Sequence, residues 1–255
     1  MDKNIFILGL AICLIGFSQC DTLNQVAQGG STSSSSSSSS AGGGQSVSST
    51  EISSGIKQAL NQGLQASIQQ LSAKDGFLGN AAVKILLPPE VQKVESALRS
   101  VGLGNLADNL VTNMNRAAEA AVSEAAPIFV NSLSQLTIKD ATNILLSGQK
   151  DAATSFFKRT TSDQLTEKFS PVVSSNLGKF NVSKYWTDLT SAYNALPMAT
   201  NKINTDLNAY VTQKAIDGLF VQVASEELKI RENIGGSRST TLLQKVFGYA
   251  DKESE

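Results

Sequence analysis

From Ile52 onward, nearly every apolar run in this chain repeats at steps of three and four residues, and glycine and proline fall mostly between the runs. That spacing draws one apolar stripe along a helix of 3.6 residues per turn, whereas a half-buried strand would alternate every second residue. The pattern predicts an all-α chain: a single multi-helix, bundle-like domain over residues 48–250, one short extended segment near 81–87, and a tail at 251–255. A domain of that size can bury a sizeable core by itself.

Ser48-Ser49-Thr50-Glu51 has the form of a capping box, and Ile52, Ile56, Leu60, Leu64, Ile68 and Leu71 follow it as an amphipathic stripe. Val83 to Leu87 is a short apolar run stopped by Pro88-Pro89, and a helix from Pro89 is expected to end at Gly102. An alanine-rich helix carries Leu106, Leu110, Met114, Ala117, Ala118 and Ala121, with Pro127 as a break before Phe129 and Leu133. Thr137 to Leu146 reads as a short helix closed by Gly148. Asp151 is expected to cap a helix bearing Phe156 and Phe157, and Thr161 or Ser162 to open a separate one through Leu165, Phe169 and Leu177. Ser183 begins a helix with Tyr185, Trp186 and Tyr193; Thr205 or Asp206 caps the last long helix, which Gly235-Gly236 ends before a short closing helix with Leu243 and Phe247.

The first 47 residues are of another kind. Asp2, Lys3 and Asn4 precede an apolar run from Ile5 to Phe17, which ends at Ser18-Gln19-Cys20. The run is shorter than the roughly 20 residues a spanning helix needs and has the shape of a secretion signal. Residues 1–19 are therefore expected to be a lipoprotein-type signal peptide and Cys20 the lipidated residue. Residues 20–47, with an unbroken serine run from Ser33 to Ser40 and Gly42-Gly43-Gly44, read as a flexible tether. Its reach is on the order of 30 Å. The expected location is the bacterial cell envelope, facing the periplasm and anchored to a membrane by the N-terminal lipid.

The chain has no histidine and only two cysteines, Cys13 inside the apolar run and Cys20. Disulfides within the domain are thereby excluded, together with the Ser-His and Cys-His nucleophile designs and the histidine zinc sites. Lys and Arg number 21 against 22 Asp and Glu, for a net charge of −1, and losing residues 1–19 removes one Lys and one Asp and leaves that balance unchanged. No nucleic-acid partner is expected from such a balance, and the sequence implies neither a cofactor nor a metal.

Three local patterns carry some chemistry. Gly102-Leu103-Gly104-Asn105-Leu106-Ala107 matches a loose dinucleotide fingerprint, but the residues before it read as helix rather than strand, so a helix-helix turn is the better reading. Ser-x-x-Lys occurs at Ser54 and Lys57, Ser147 and Lys150, and Ser155 and Lys158, with no partner motif. More informative are charges beside apolar stripes: Arg116 and Glu119 are three apart, Glu227 and Arg231 four apart, and Lys158-Arg159 follow two phenylalanines at an expected helix end. Arg116, Glu119, Lys158, Arg159, Asp217, Glu226, Glu227 and Arg231 are either structural pairs or a cluster in which the arginines converge on an anionic head group. Phe156, Phe157 and Phe220 are the candidate apolar lining.

The ordered motifs Asp75-Gly76-Phe77-Leu78-Gly79-Asn80, Ala82-Val83-Lys84-Ile85, Met114-Asn115-Arg116-Ala117-Ala118-Glu119, Phe156-Phe157-Lys158-Arg159-Thr160-Thr161 and Ala215-Ile216-Asp217-Gly218-Leu219-Phe220, with Glu226-Glu227 and Ile230-Arg231, resemble the bacterial envelope family known as domain of unknown function 4197. The resemblance runs from about Glu51 to Phe247 and implies a helical, exported, often lipidated protein with no established activity. The expected role is a non-enzymatic helical binding domain for an envelope protein or an amphiphilic ligand. The alternative is an enzyme that works without His or Cys, through carboxylate, Lys or Ser chemistry.

Overall fold

The structure, a computed structural model, describes residues 46–88, 91, 99, 104–179, 182–195, 202 and 206–253. The expected signal, Cys20, the tether through residue 45, and the helix expected between Pro89 and Gly102 apart from Val91 and Arg99 lie outside the described residues. So do Pro197 and Thr205. The described part holds α1 (Ser49–Ser72), α2 (Gly104–Val122), α3 (Ala125–Gln135), α4 (Ile138–Leu146), α5 (Ala152–Gly178), α6 (Val182–Asn194), α7 (Leu207–Arg231), a 3-10 turn (Ile234–Gly236) and α8 (Thr241–Glu253). There is no strand among the described residues, so the domain is all-α as the periodicity predicts.

Local chemistry sets several of the ends. Ser48 and Glu51 form the reciprocal capping box at the start of α1, and Thr137 and Asp140 form another at α4. Asp206 accepts the Ala209 N–H at the start of α7. The break between α2 and α3 falls at Ser123 and Glu124, which leaves Pro127 in the first turn of α3, where its missing N–H costs nothing. The α8 helix runs through Glu253, so the first three residues of the expected tail are helical.

Two expectations for residues 151–178 are corrected. Residues expected to form two helices are the single helix α5, and neither Thr161 nor Ser162 starts anything: Thr161 is buried and its hydroxyl donates to Phe157 O at 2.7 Å, while Ser162 donates to Lys158 O. Hydroxyls that bond back one turn look the same in sequence as hydroxyls that cap. The buried side chains of α5 fall at every fourth residue, from Ala153 through Phe157, Leu165 and Phe169 to Leu177. Because 3.6 residues make a turn, each step of four advances the stripe by about 40°. The stripe therefore winds around α5, which packs against α3, α2 and α7.

Helix α1 packs against α7, α4 and α8, and α7 against α5, α1 and α2, so α1, α5 and α7 surround the core. Ile56, Leu71, Phe77, Phe129, Phe157, Phe169 and Trp186 are fully buried there; each such side chain contributes roughly 1.5–3 kcal/mol of transfer free energy. Two glycines allow close approach. A Cβ on Gly55 would stand 2.7 Å from Val246 Cγ2 of α8, and one on Gly218 of α7 would stand 2.7 Å from Phe77 Cε1. The expected extended segment has no regular secondary structure over residues 84–88, yet it alternates: Val83, Ile85 and Leu87 point inward, Lys84 and Leu86 outward.

Candidate binding site

Three of the charges singled out in the sequence, Glu119, Glu227 and Arg231, act on backbone. On α2, Glu119 accepts the N–H groups of Phe77 and Leu78 at 3.1 and 3.3 Å through one oxygen and Arg116 at 2.6 Å through the other. Arg116 continues to Asp75 at 2.6 Å, a non-glycine residue held at φ 67°. These two carboxylates push the guanidinium further above its ordinary range, Glu119 contributing most. One turn before Glu119, the fully buried Asn115 accepts the Ile85 N–H at 2.8 Å and donates to the carbonyls of Ile85 and Val111. Asn115 and Glu119, one turn apart on α2, thus pair the backbone N–H groups of Phe77, Leu78 and Ile85, which the turns of residues 75–84 leave over.

A second carboxylate does the same for α5. Asp151 stands at the N-cap position but makes no capping bond; the cap comes instead from Glu227 of α7. Its oxygens accept Ala153 N–H at 3.0 Å, Thr154 N–H at 2.8 Å and the Thr154 hydroxyl at 2.8 Å. Arg231 completes the set, bonding Glu227 from Nε at 3.0 Å and from Nη2 at 2.9 Å, and reaching Ile144 O of α4 at 2.7 Å. Glu226 points elsewhere, accepting Lys229 at 2.7 Å and Gln222 at 2.9 Å, and Asp217 accepts Gln213 at 2.9 Å. The three arginines therefore do not converge: Arg116 and Arg231 are committed to separate clasps, and Arg159 stands apart on α5.

Sequence reasoning missed Arg238, a buried residue beyond the end of α7. Its side chain donates to Ile230 O at 3.0 Å and to Arg231 O, closing the helix C-terminus, and binds both oxygens of Asp251 on α8. Its guanidinium also lies 5.2 Å from the Phe247 ring centroid. Asn115 could have been noticed as a polar residue on an alanine-lined stripe; nothing local marks Arg238.

Two spaces remain to be considered for a ligand. The first, lined by apolar side chains such as Ile56, Leu60, Phe157 and Val223 together with Glu227 and Arg231, measures only about 30 Å³, about the share of one water. The expected apolar lining is therefore divided: Phe157 and Phe220 are core residues, each edge-on to Phe129, and only Phe156 reaches the surface pocket that holds Arg159. That pocket, about 220 Å³, lies between α3, α4 and α5 and is lined by Asn131, Gln135, Asp140, Phe156, Arg159 and Gln164, with the bonded hydroxyls of Ser132 and Thr160 at its side. The Arg159 guanidinium lies 5.5 Å from the Phe156 ring centroid. Arg159 and Gln164 make no side-chain hydrogen bond, and Arg159 no ion pair, among the described residues.

Asp140 faces Arg159 without touching it. One of its oxygens is taken by the Thr137 N–H and hydroxyl at 3.1 and 2.6 Å, and the other accepts no hydrogen bond among the described residues. The Thr137 hydroxyl, chiefly, holds the Asp140 carboxyl below its usual range, and the charges of Arg159 and Lys139 add to that pull. Lys158 is exposed on the neighbouring position of α5. Two further surface depressions hold pairs that are already joined, Arg99 with Asp108 at 2.5 Å and Asp75 with Arg116, beside Lys84 and Lys74 respectively.

None of the three Ser-x-x-Lys pairs is hydrogen-bonded among the described residues; Lys150 instead pairs with Glu232 at 2.8 Å. Trp186 is core and stacks on Tyr210, while the Tyr185 and Tyr193 side chains, Gly102 and Leu103 lie outside what is described; the rest of the dinucleotide-like segment, from Gly104, is the start of α2.

The family model described as protein of unknown function DUF4197 matches residues 46–248. The chain belongs to that family. No curated protein and no solved structure matches it. Of the motifs named above, those at 75–80, 82–85 and 114–119 meet in the first clasp, Glu227 and Arg231 form the second, and the motif at 156–161 borders the Arg159 pocket. In this DUF4197 domain no helix among the described residues is long and apolar enough to cross a membrane.

Proposed function

We propose that this DUF4197 protein is a lipid-anchored envelope protein, fixed at Cys20 and held off the membrane by the 20–47 tether, whose helical domain binds an amphiphilic ligand or an envelope protein without catalysing a reaction. The observation that carries the binding role is the Arg159 pocket: a guanidinium supported on an aromatic face, open to solvent and unbonded among the described residues, in a domain where Arg116, Glu119, Glu227 and Arg231 are already engaged in the two clasps. The enzyme alternative needs an available base, and Glu227 is a poor one because both of its oxygens already accept two or more hydrogen bonds.

Anchoring and binding are tested separately. Cys20→Ala is expected to release the protein from the membrane fraction; unchanged fractionation refutes the anchor. Native mass spectrometry of the full chain carrying Cys20→Ala, purified without detergent, is expected to show an added mass that is lost on denaturation, or, with a clean mass, a cross-linked envelope partner in cells. Absence of both refutes the binding role.

A further inference from the structure

The Arg159 pocket holds two opposite charges that form no ion pair with each other among the described residues. Arg159 presents the donors of a planar fork from α5, and Asp140 presents one free carboxylate oxygen from α4. An isolated anion entering the pocket would gain the guanidinium and meet the carboxylate; an isolated cation would face the reverse. Only a ligand bearing both charges satisfies both walls, and specificity of this kind comes as much from the repulsive group as from the attractive one. A guanidinium suits a carboxylate or phosphate, which it can bind through two parallel hydrogen bonds. A free carboxylate oxygen suits a primary ammonium, which can donate to it.

The dimensions set the size of the guest. At about 220 Å³ the space falls below the roughly 300–1,000 Å³ of pockets that enclose drug-sized molecules, so it fits a head group and not an acyl chain. The Phe156 ring steadies the guanidinium, and the side-chain amides of Asn131, Gln135 and Gln164 line the pocket, where they can donate or accept toward the middle of the guest. We propose that the pocket binds a compact zwitterion, an anionic group and a primary ammonium a few bonds apart, with Arg159 holding the anion and Asp140 the ammonium. This rests on the binding role proposed above and names the chemistry of its ligand. Both the head of an ethanolamine phospholipid and a free amino acid have that chemistry.

The test is isothermal titration calorimetry on the full chain carrying Cys20→Ala, with phosphoethanolamine against phosphocholine and glycine against glycine betaine. Within each pair only N-methylation differs, and it removes the ammonium's hydrogen-bond donors. At least one primary ammonium compound is expected to bind about tenfold or more tightly than its methylated partner and than inorganic phosphate. Arg159→Ala and Asp140→Asn should each weaken that binding about tenfold or more. Because Asp140 also caps α4, Thr137→Ala serves as the control: it breaks the cap and keeps the carboxylate, so it should lower Tm and leave affinity within about twofold. Flotation with ethanolamine-lipid vesicles, compared with choline-lipid vesicles, then separates the sources. Flotation that depends on Arg159 assigns the lipid head, and binding confined to the soluble compounds assigns the free molecule.

Equal affinity for the methylated compounds, binding unaffected by Arg159→Ala, or no heat from either primary ammonium compound overturns the proposal. A ligand mass or cross-linked partner retained in Arg159→Ala would overturn it while sparing the binding role itself.

Discussion

Removing the Glu227 carboxylate is the sharpest test of whether the charged motifs of this domain build the fold or perform chemistry. In Glu227→Ala the Ala153 and Thr154 N–H groups at the start of α5 lose their acceptor, and Arg231, only 16% exposed as a side chain, loses its partner while still reaching Ile144 O. Breaking a buried pair by deleting one partner costs about 3–5 kcal/mol, and the lost cap alone accounts for about 1 kcal/mol of this. Against a total stability of about 5–15 kcal/mol for a domain, that is a large fraction. At about 2–4 °C per kcal/mol for a domain of this length, Tm should fall by roughly 6–20 °C.

Urea denaturation of Glu227→Ala, Arg231→Ala and the double variant supplies the check. The double variant should lose less than the sum of the single losses, because deleting Arg231 as well removes the uncompensated charge. Glu227→Gln keeps the shape and one acceptor and should fall between wild type and Glu227→Ala. A Glu227→Ala variant within about 0.5 kcal/mol of wild type, with additive single losses, would refute the clasp and return Glu227 to the candidates for chemistry.

Two further outcomes follow from the packing and the caps. Gly218→Ala should destabilise the domain by about 1–3 kcal/mol, since the new methyl would stand 2.7 Å from Phe77 Cε1 and 3.2 Å from Val83 Cβ; unchanged urea midpoints would show that the Phe77 loop yields freely. Glu51 is held down to about 2 from its ordinary 4.5, first by the hydrogen bond from Lys245 and then by the Ser48 N–H. A carboxyl depressed in the folded state contributes stability that is complete above its unfolded value and fades as pH falls toward the folded one. The Tm difference between wild type and Glu51→Gln should accordingly be constant above about pH 5 and shrink steadily as pH falls toward and through about 2; a difference still at full size at pH 2 would count against the ionised cap.

What the sequence made legible was whatever is settled within one or two turns. The caps at Ser48 and Asp206, and the pairs at Arg116 with Glu119 and Glu227 with Arg231, join residues three or four apart and appear in the structure as the spacing predicts. The same spacing could not show that Glu119 and Glu227 hold backbone from 41 to 74 residues away. Asp151 has the right residue type and position to cap α5, yet a carboxylate from α7 does so, because tertiary packing delivers a better placed acceptor. The unbroken α5 was hidden by its winding stripe and by Thr160, Thr161 and Ser162, whose hydroxyls satisfy themselves within the helix. Of the candidate site, Arg159 and Phe156 were in view from the sequence; Asp140 was not, because a residue of a capping box has an evident local duty and no visible second one.

The placement of α1 has a consequence for how the chain reaches its native state. Gln62 bonds Ser237, Gln58 bonds Thr240 and Glu51 pairs with Lys245, contacts that span 175, 182 and 194 residues. A polypeptide emerges from the ribosome N-terminus first, so the stripe of α1 that packs on α8, with Gly55 against Val246, must wait for the last helix before it is covered. Contacts of such long range slow folding and leave that stripe available to chaperones, or to a second nascent copy, for most of synthesis. A premature stop before α8 would thus be felt at the opposite end of the polypeptide, as an N-terminal segment that never finds its cover.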